Sequence, residues 1–269
     1  MDQPDLRLCR TLLFLPASNP RAIEKARSLD ADMIVLDLED AVRGEDKAAA
    51  RAAAVAATHE GFGGRAVAIR VNPAGTPAYG EDVEAVQHSA AHLIVLAKAE
   101  SEAQVHDTIR LVGRPVAAMV ETPRAVIDAA AIAAAAAALI AGTNDLAASL
   151  ALPASADRGG LVYALQRILL AARAAGIPAF DGVHNRLEAG EALAAECAQG
   201  RGWGFDGKSV IHPSQIETVN RLFAPTDAEL EAARRLIEAA TGGAERHEGA
   251  MIEAMHVEQA RALIAKARR

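Results

Sequence analysis

Two carboxylates, Glu121 and Asp145, stand at the ends of short apolar runs in the stretch from Pro115 to Leu150. The runs are Val116–Val120 and Leu139–Ala141, and the second also delivers Gly142, Thr143 and Asn144. Asp128 through Ala138, between them, reads as helix, because alanine is the best helix former. Strand, helix, strand with an acid at each strand end is a βαβ unit carrying an oxygen-ligand metal site. Two carboxylates suit a hard cation such as Mg²⁺, which keeps several waters and takes further oxygens from a substrate.

Other polar groups follow apolar runs in the same way: Pro16–Ser18, Asp37, Glu39 and Asp40, Arg70 and Asn72, Lys98, Asp181, and Lys208 with His212. Each alone reads equally well as a solvated strand end. Gathered on one face, so many charges would need each other, a metal or a ligand as partners. A guanidinium such as Arg70 can clamp a carboxylate in bidentate fashion, or pair with Glu39 or Asp40. Asp37, Glu39 and Asp40 form, on an alternative reading, a network that orients Arg70. Lys98 and Lys208 raise the rival of a Schiff-base lysine, although carboxylates nearby favour protonated, paired ammonium groups. His184, His212 and the other histidines show no metal-ligand spacing.

The elements that must position these groups recur as apolar runs separated by helical segments. Strands are expected at Thr11–Leu15, Met33–Leu36, Ala66–Val71, Leu93–Ala97, Val116–Val120, Leu139–Ala141, Pro178–Phe180 and Phe205–Val210. Continuous apolar runs of this kind are what buried parallel strands require. Helices are expected between them, with Asn19 capping the first and Pro20 in its first turn. Eight such units predict a (β/α)8 TIM barrel over residues 1–224. No Gly-x-Gly-x-x-Gly loop follows a strand to support an open dinucleotide-binding sheet. Residues 225–269 form a C-terminal helical arm or lid, two amphipathic helices joined by TGGAERHEGA.

A net charge of −7 argues against nucleic-acid binding, which needs a basic stripe. Cys9 and Cys197 lie far apart and outside metal spacing, which fits a reduced, cytoplasmic setting. The apolar run after Arg10 is too short for a signal peptide. The uncharged stretch Ala129–Ala141 falls short of the roughly 20 residues that span a bilayer.

The motifs RTLLFLPASNPRAIEKA, ADMIVLDLEDAV, DKAAAR, IRVNP, VETPRAV, AGTNDLAASL, AARAAGIPAFDGV and GFDGKSVIHPSQI occur in that order over most of residues 10–225. In this combination the chain resembles the citrate lyase β-subunit and its relatives in the HpcH/HpaI aldolase superfamily, malyl-CoA and citramalyl-CoA lyases among them. The resemblance implies a modified TIM barrel with Mg²⁺ on Glu121 and Asp145, and Arg70 holding the carboxylate of a 2-oxo acid. It implies that Glu39 and Asp40 anchor metal-bound waters and Arg70, and that the Gly142–Asp145 backbone lies against the substrate, which brings in Thr143 and Asn144. Arg21 and Lys25 become candidates for the CoA phosphates. A homotrimer is implied, in which one subunit's C-terminal segment covers its neighbour's site.

That segment also departs from the pattern. Where many relatives carry an aspartate assigned to proton transfer, HEGAMIEAMHVEQA places Glu253, and Glu248 replaces an acid before the glycine. One added methylene shifts the carboxyl by over an ångström, an error that costs about 100-fold in rate when positioning is critical. The expected activity is Mg²⁺-dependent carbon–carbon cleavage, or formation, of a citryl-, malyl- or citramalyl-type thioester, with Glu253 as acid/base. The alternatives are a malyl-CoA-type thioesterase, a β-subunit dependent on an acyl-carrier protein, and a catalytically retired binding protein.

Overall fold

The computed structural model describes residues 4–153, 157–240, 245–247 and 250–267 of the chain. Eight parallel strands close into a barrel: β1 (Thr11–Pro16), β2 (Met33–Asp37), β3 (Ala66–Val71), β4 (Leu93–Leu96), β5 (Val116–Val120), β6 (Ala138–Ala141), β7 (Ala179–Asp181) and β8 (Gly207–Val210). Each strand pairs with the next, and β1 completes the ring against β8. The expected (β/α)8 TIM barrel is therefore the observed architecture. Among the described residues, no helix is long and apolar enough to cross a membrane.

Side chains alternate across each strand, and the alternation sorts the core into two layers. Leu12, Phe14, Met33, Val35, Ala66, Ala68, Leu93, Val95, Ala117, Met119, Ala138, Ile140 and Phe180 fill the barrel interior. Their neighbours, such as Ile34, Ile69, Val116 and Leu139, face outward beneath the helices. The same period of two continues past the apolar residues. Met33 and Val35 lead to Asp37, Ala66 and Ala68 to Arg70, and Ala117 and Met119 to Glu121. The inner rows thus end in charges at the carboxyl end of the barrel.

Local signals set the helices. Asn19 accepts from the Ala22 amide (3.1 Å) at the start of α1 (Pro20–Ala26), with Pro20 in the first turn. α2 (Lys47–Glu60), α3 (Pro77–Gln87) and α4 (Glu102–Val112) follow, the last two capped by Thr76 and Ser101. The helix expected over Asp128–Ala138 is corrected. The chain forms α5 (Pro123–Ile127), breaks at Asp128, and resumes as α6 (Ala129–Ala135). Strand pairing overrides alanine's helical preference at the end, because Ala137 N–H donates to Val116 O (2.8 Å) and Ala138 pairs with Ala117. α7 (Thr143–Ser149), α8 (Val162–Ala174), α9 (Glu191–Trp203) and α10 (Ile216–Phe223) complete the outer ring.

The β7–β8 seam is short, with two register pairs, and carries a buried ionic chain beside it. Fully buried Lys208 lies 3.1 Å from Asp181 and 3.2 Å from Glu196. Arg158 pairs with the second Asp181 oxygen, and His184 Nδ1 lies 2.9 Å from Glu196.

The arm begins with α11 (Asp227–Ala239), opened by a reciprocal cap in which Thr226 and Glu229 bond each other's amides. Met251 and Ile252, expected as helix, instead lie in β10 (Ala250–Ile252), which pairs antiparallel with β9 (Glu245–His247). Glu253 then stands at the N-cap of α12 (Ala254–Lys266). α12 packs on α11 and on the Leu6–Leu8 turn, and Lys266 Nζ donates to Asp206 O, just before β8. The arm is therefore anchored beneath the barrel, at the end opposite the charged rows.

Candidate active site

Those rows open into a cavity of about 430 Å³. Its walls include Phe14, Asp37, Asp40, Arg70, Met119 and Glu121, together with the whole Gly142–Asp145 turn. Register brings the first pair together: Asp37 on β2 is the partner of Arg70 on β3. Arg70 Nε and Nη2 donate to the two Asp37 oxygens at 2.7 and 2.5 Å, and Nη1 lies 3.0 Å from Glu39 Oε2. The guanidinium also sits over the Phe14 ring, 5.3 Å from its centre. Burial alone would weaken its hold on the proton. Asp37, Glu39 and Glu121 outweigh that and keep it charged beyond its usual range.

This geometry corrects the role expected of Asp40. It does not touch Arg70; Asp37 and Glu39 hold that guanidinium, and Asp40 meets Lys98 instead (3.4 Å). Asp37 entered the sequence reading only as part of a possible network, because choosing among three acids in DLED requires the strand register.

Glu121 is buried, at 2% exposure, and Oε1 accepts the Lys98 N–H at 2.7 Å. Gly142 makes room for it, since a Cβ there would lie 2.2 Å from Glu121 Cβ. Asp145, in the first turn of α7, is more open and lies 3.3 Å from Lys98 Nζ. Asn144 and Asn185 exchange side-chain amide bonds (3.0 and 2.7 Å), and Thr143 places a buried hydroxyl without a hydrogen-bond partner on the cavity wall.

Lys98 is the residue that sequence reasoning undervalued. Its Nζ lies 2.5 Å from Glu39, and the carboxylates around it hold its proton above the ordinary lysine range although burial opposes this. A Schiff-base nucleophile needs the opposite shift. Lys208 is sealed away from the cavity at 0% exposure. The expectation that both lysines are paired holds, and the Schiff-base rival has no support.

Five carboxylates, Asp37, Glu39, Asp40, Glu121 and Asp145, gather around two cations, Arg70 and Lys98. Burial pushes Glu121 up to about 7, with the Glu39 and Asp145 charges adding to the effect against Lys98 N–H and Arg70. Burial also raises Glu39, against Arg70 and Lys98. An excess of hard anionic oxygens, with Glu121 and Asp145 both lining the cavity, fits a divalent cation. Among the described residues no three His, Cys, Asp or Glu side chains are grouped to enclose a metal. A cation held by Glu121 and Asp145 alone would leave coordination positions to water and substrate.

A consequence for pH follows. The free carboxyl of Glu121 has an ordinary value of 4.5, raised on folding to about 7. Its contribution to stability is complete below the unfolded value and is lost as pH rises through the folded one. In EDTA, the melting temperature of the wild type is therefore expected to fall between about 4.5 and about 7 more steeply than that of Glu121→Gln. Equal slopes in scanning calorimetry would contradict the assignment.

Three expected site residues lie elsewhere. Arg21 and Lys25 are exposed on α1 and do not line the cavity. Glu253 is exposed, its N–H donating to His256 Nδ1 (3.0 Å), and no described residue beyond Ile211 lines the cavity. The described residues of the arm leave the cavity of their own barrel uncovered. Glu248 lies outside the described residues.

Barrel and cavity together define a TIM-barrel protein with an acid-rich site around Arg70 and Lys98 at the carboxyl end of its strands. The chain belongs to the HpcH/HpaI aldolase/citrate lyase family, which it matches over residues 10–213. It is 41% identical to a (3S)-malyl-CoA thioesterase of Cereibacter sphaeroides, over 96% of this chain and 94% of that protein. It is 36% identical to the citrate lyase subunit beta of Leuconostoc mesenteroides, over 87% and 82%. The CitE protein of Mycobacterium tuberculosis, solved in complex with magnesium, acetoacetate and coenzyme A, superposes with a TM-score of 0.83 at 36% identity, covering 98% of this chain and all of that one.

Proposed function

We propose that the chain acts, with Mg²⁺, on the CoA thioester of a malyl-type hydroxy acid and hydrolyses the thioester bond. The observation that carries the substrate class is the cavity, lined by Glu121, Asp145 and the half-buried Arg70. Magnesium and coenzyme A in the M. tuberculosis structure support the same choice of ligands. Glu121 and Asp145 hold the metal, which supplies Lewis-acid charge beside the substrate oxygens. Arg70, fixed by Asp37 and Glu39, binds the acid's carboxylate. Asp40 lines the cavity with its side chain 66% exposed and one long ion pair to Lys98. It takes the proton from the water that attacks the thioester carbonyl and returns it to the CoA thiolate as the carbon–sulfur bond breaks, giving the free acid and the thiol. Gly142, Thr143 and Asn144 shape the wall against the acid, and Arg21 and Lys25 on the outer face of α1 meet the CoA phosphates.

Hydrolysis is favoured by the 41% identity to a thioesterase over nearly the whole chain. It is also favoured by the position of Glu253, the expected proton carrier for carbon–carbon cleavage, outside the cavity. The second reading is that cleavage itself, supported by the citrate lyase relatives. It requires Glu253 to arrive from the arm of another subunit, as in a homotrimer. Purified protein incubated with malyl-CoA and Mg²⁺, with free thiol and 2-oxo acid followed together, separates the two. Thiol without oxo acid is the expected result. Oxo acid with intact acetyl-CoA establishes the lyase, and neither product points to an acyl-carrier partner.

A further inference from the structure

Lys98 reaches three of the loops that bear the cavity's carboxylates. It follows β4 with φ +47°, one of two non-glycine residues at positive φ among those described. Its backbone N–H donates to Glu121 Oε1 at 2.7 Å. Its Nζ lies 2.5 Å from Glu39 Oε1, 3.3 Å from Asp145 Oδ2 and 3.4 Å from Asp40 Oδ2. Arg70 cannot share this task, because Asp37 and Glu39 already hold its guanidinium. Among the described residues, the other ammonium beside the β2 loop, that of Lys47, is spent on the Leu38 and Glu39 carbonyls and the Asn72 side chain.

We propose that the Lys98 ammonium is a resident counter-ion of the carboxylate cluster in the metal-free protein and must release Asp145 when the metal enters. This rests on the assignment of Glu121 and Asp145 as metal ligands. A lysine suits the task because it carries a compact charge on a flexible stem with three rotatable donors. It can divide itself among three carboxylates and still let one go, and its side chain is 30% exposed, with room to turn. Ammonium and metal would compete for Asp145, whose Oδ2 the ammonium holds at 3.3 Å, and their like charges would repel. Lys98 therefore acts in opposite directions on the two states, stabilising the metal-free protein and weakening uptake of the metal. A lysine that merely braced the loop would do the reverse, since its loss would free Asp145 and weaken uptake.

The test is calorimetric titration of Mg²⁺ into the wild type, Lys98→Gln and Lys98→Arg, with the melting temperature of each in EDTA and in saturating Mg²⁺. Lys98→Gln is expected to bind Mg²⁺ about five- to tenfold more tightly, to melt lower in EDTA, and to regain more of that loss with Mg²⁺ than the wild type gains. Lys98→Arg, which keeps the charge, stays near the wild type. Lys98→Asn, neutral and tolerant of positive φ, is read in the same way if the glutamine variant does not fold. Mg²⁺ uptake by the wild type with equal or weaker uptake by the neutral variants overturns the counter-ion role alone. No uptake by the wild type overturns the metal assignment, and the counter-ion role with it.

Discussion

Glu121→Gln and Asp145→Asn are each expected to abolish Mg²⁺-dependent turnover while leaving the folded protein intact. A catalytic metal contributes several kcal/mol of charge stabilisation, and at 1.36 kcal/mol per tenfold its loss lowers the rate by about a thousandfold or more. The isosteric amides keep the shape of the wall beside Gly142, where even an added Cβ would lie 2.2 Å from Glu121 Cβ. Stability and activity should part company. Glu121 is buried, and its carboxyl resists ionisation up to about 7 because of that burial. Removing the charge therefore raises, or leaves unchanged, the melting temperature in EDTA above that pH. Turnover and Mg²⁺ affinity fall together in the same variant. Full activity with unaltered Mg²⁺ affinity in either substitution would remove these residues from the site.

The second large effect is expected at Arg70, where fold and chemistry share one side chain. Arg70→Met leaves Asp37 and Glu39, at 1% and 3% exposure, with buried charge and no guanidinium. Breaking a buried pair from one side costs about 3–5 kcal/mol, a fall in melting temperature on the order of 10 °C for a domain of this size. Arg70→Lys separates the two roles. Its single ammonium can neutralise Asp37 but cannot also span to Glu39 and present a planar fork to a substrate carboxylate. Most of the stability should return, while KM for the carboxylate-bearing substrate stays raised by about tenfold or more, the scale of a lost charge-assisted hydrogen bond. Wild-type KM in the lysine variant would show that Arg70 serves the fold alone.

Much of this arrangement is legible in the chain because the barrel imposes a simple code. Buried parallel strands need continuous apolar runs, and a period of two carries the inner row onto Asp37, Arg70 and Glu121. What the runs do not carry is lateral register. Whether Arg70 meets Asp37, Glu39 or Asp40 depends on which residue of β2 lies beside it, and that pairing is a property of two strands. The left-handed turn at Lys98 was hidden for another reason: lysine has no preference for positive φ, so only the packed loop reveals it. Alanine misled at Ala136–Ala138, where pairing with β5 outweighed helix propensity. The amphipathic look of Met251 and Ile252 concealed a strand, and where Glu253 lies relative to the cavity depends on where the arm docks, which no local pattern encodes.

The ionic chain of Lys208, Asp181, Glu196 and Arg158 fastens the arc where the wall of the ring has the fewest amide rungs. A survey of charged residues scored by product formation alone would rank Lys208 with the reaction centre. Its loss would silence the protein by loosening the staves, without any reacting atom having been touched.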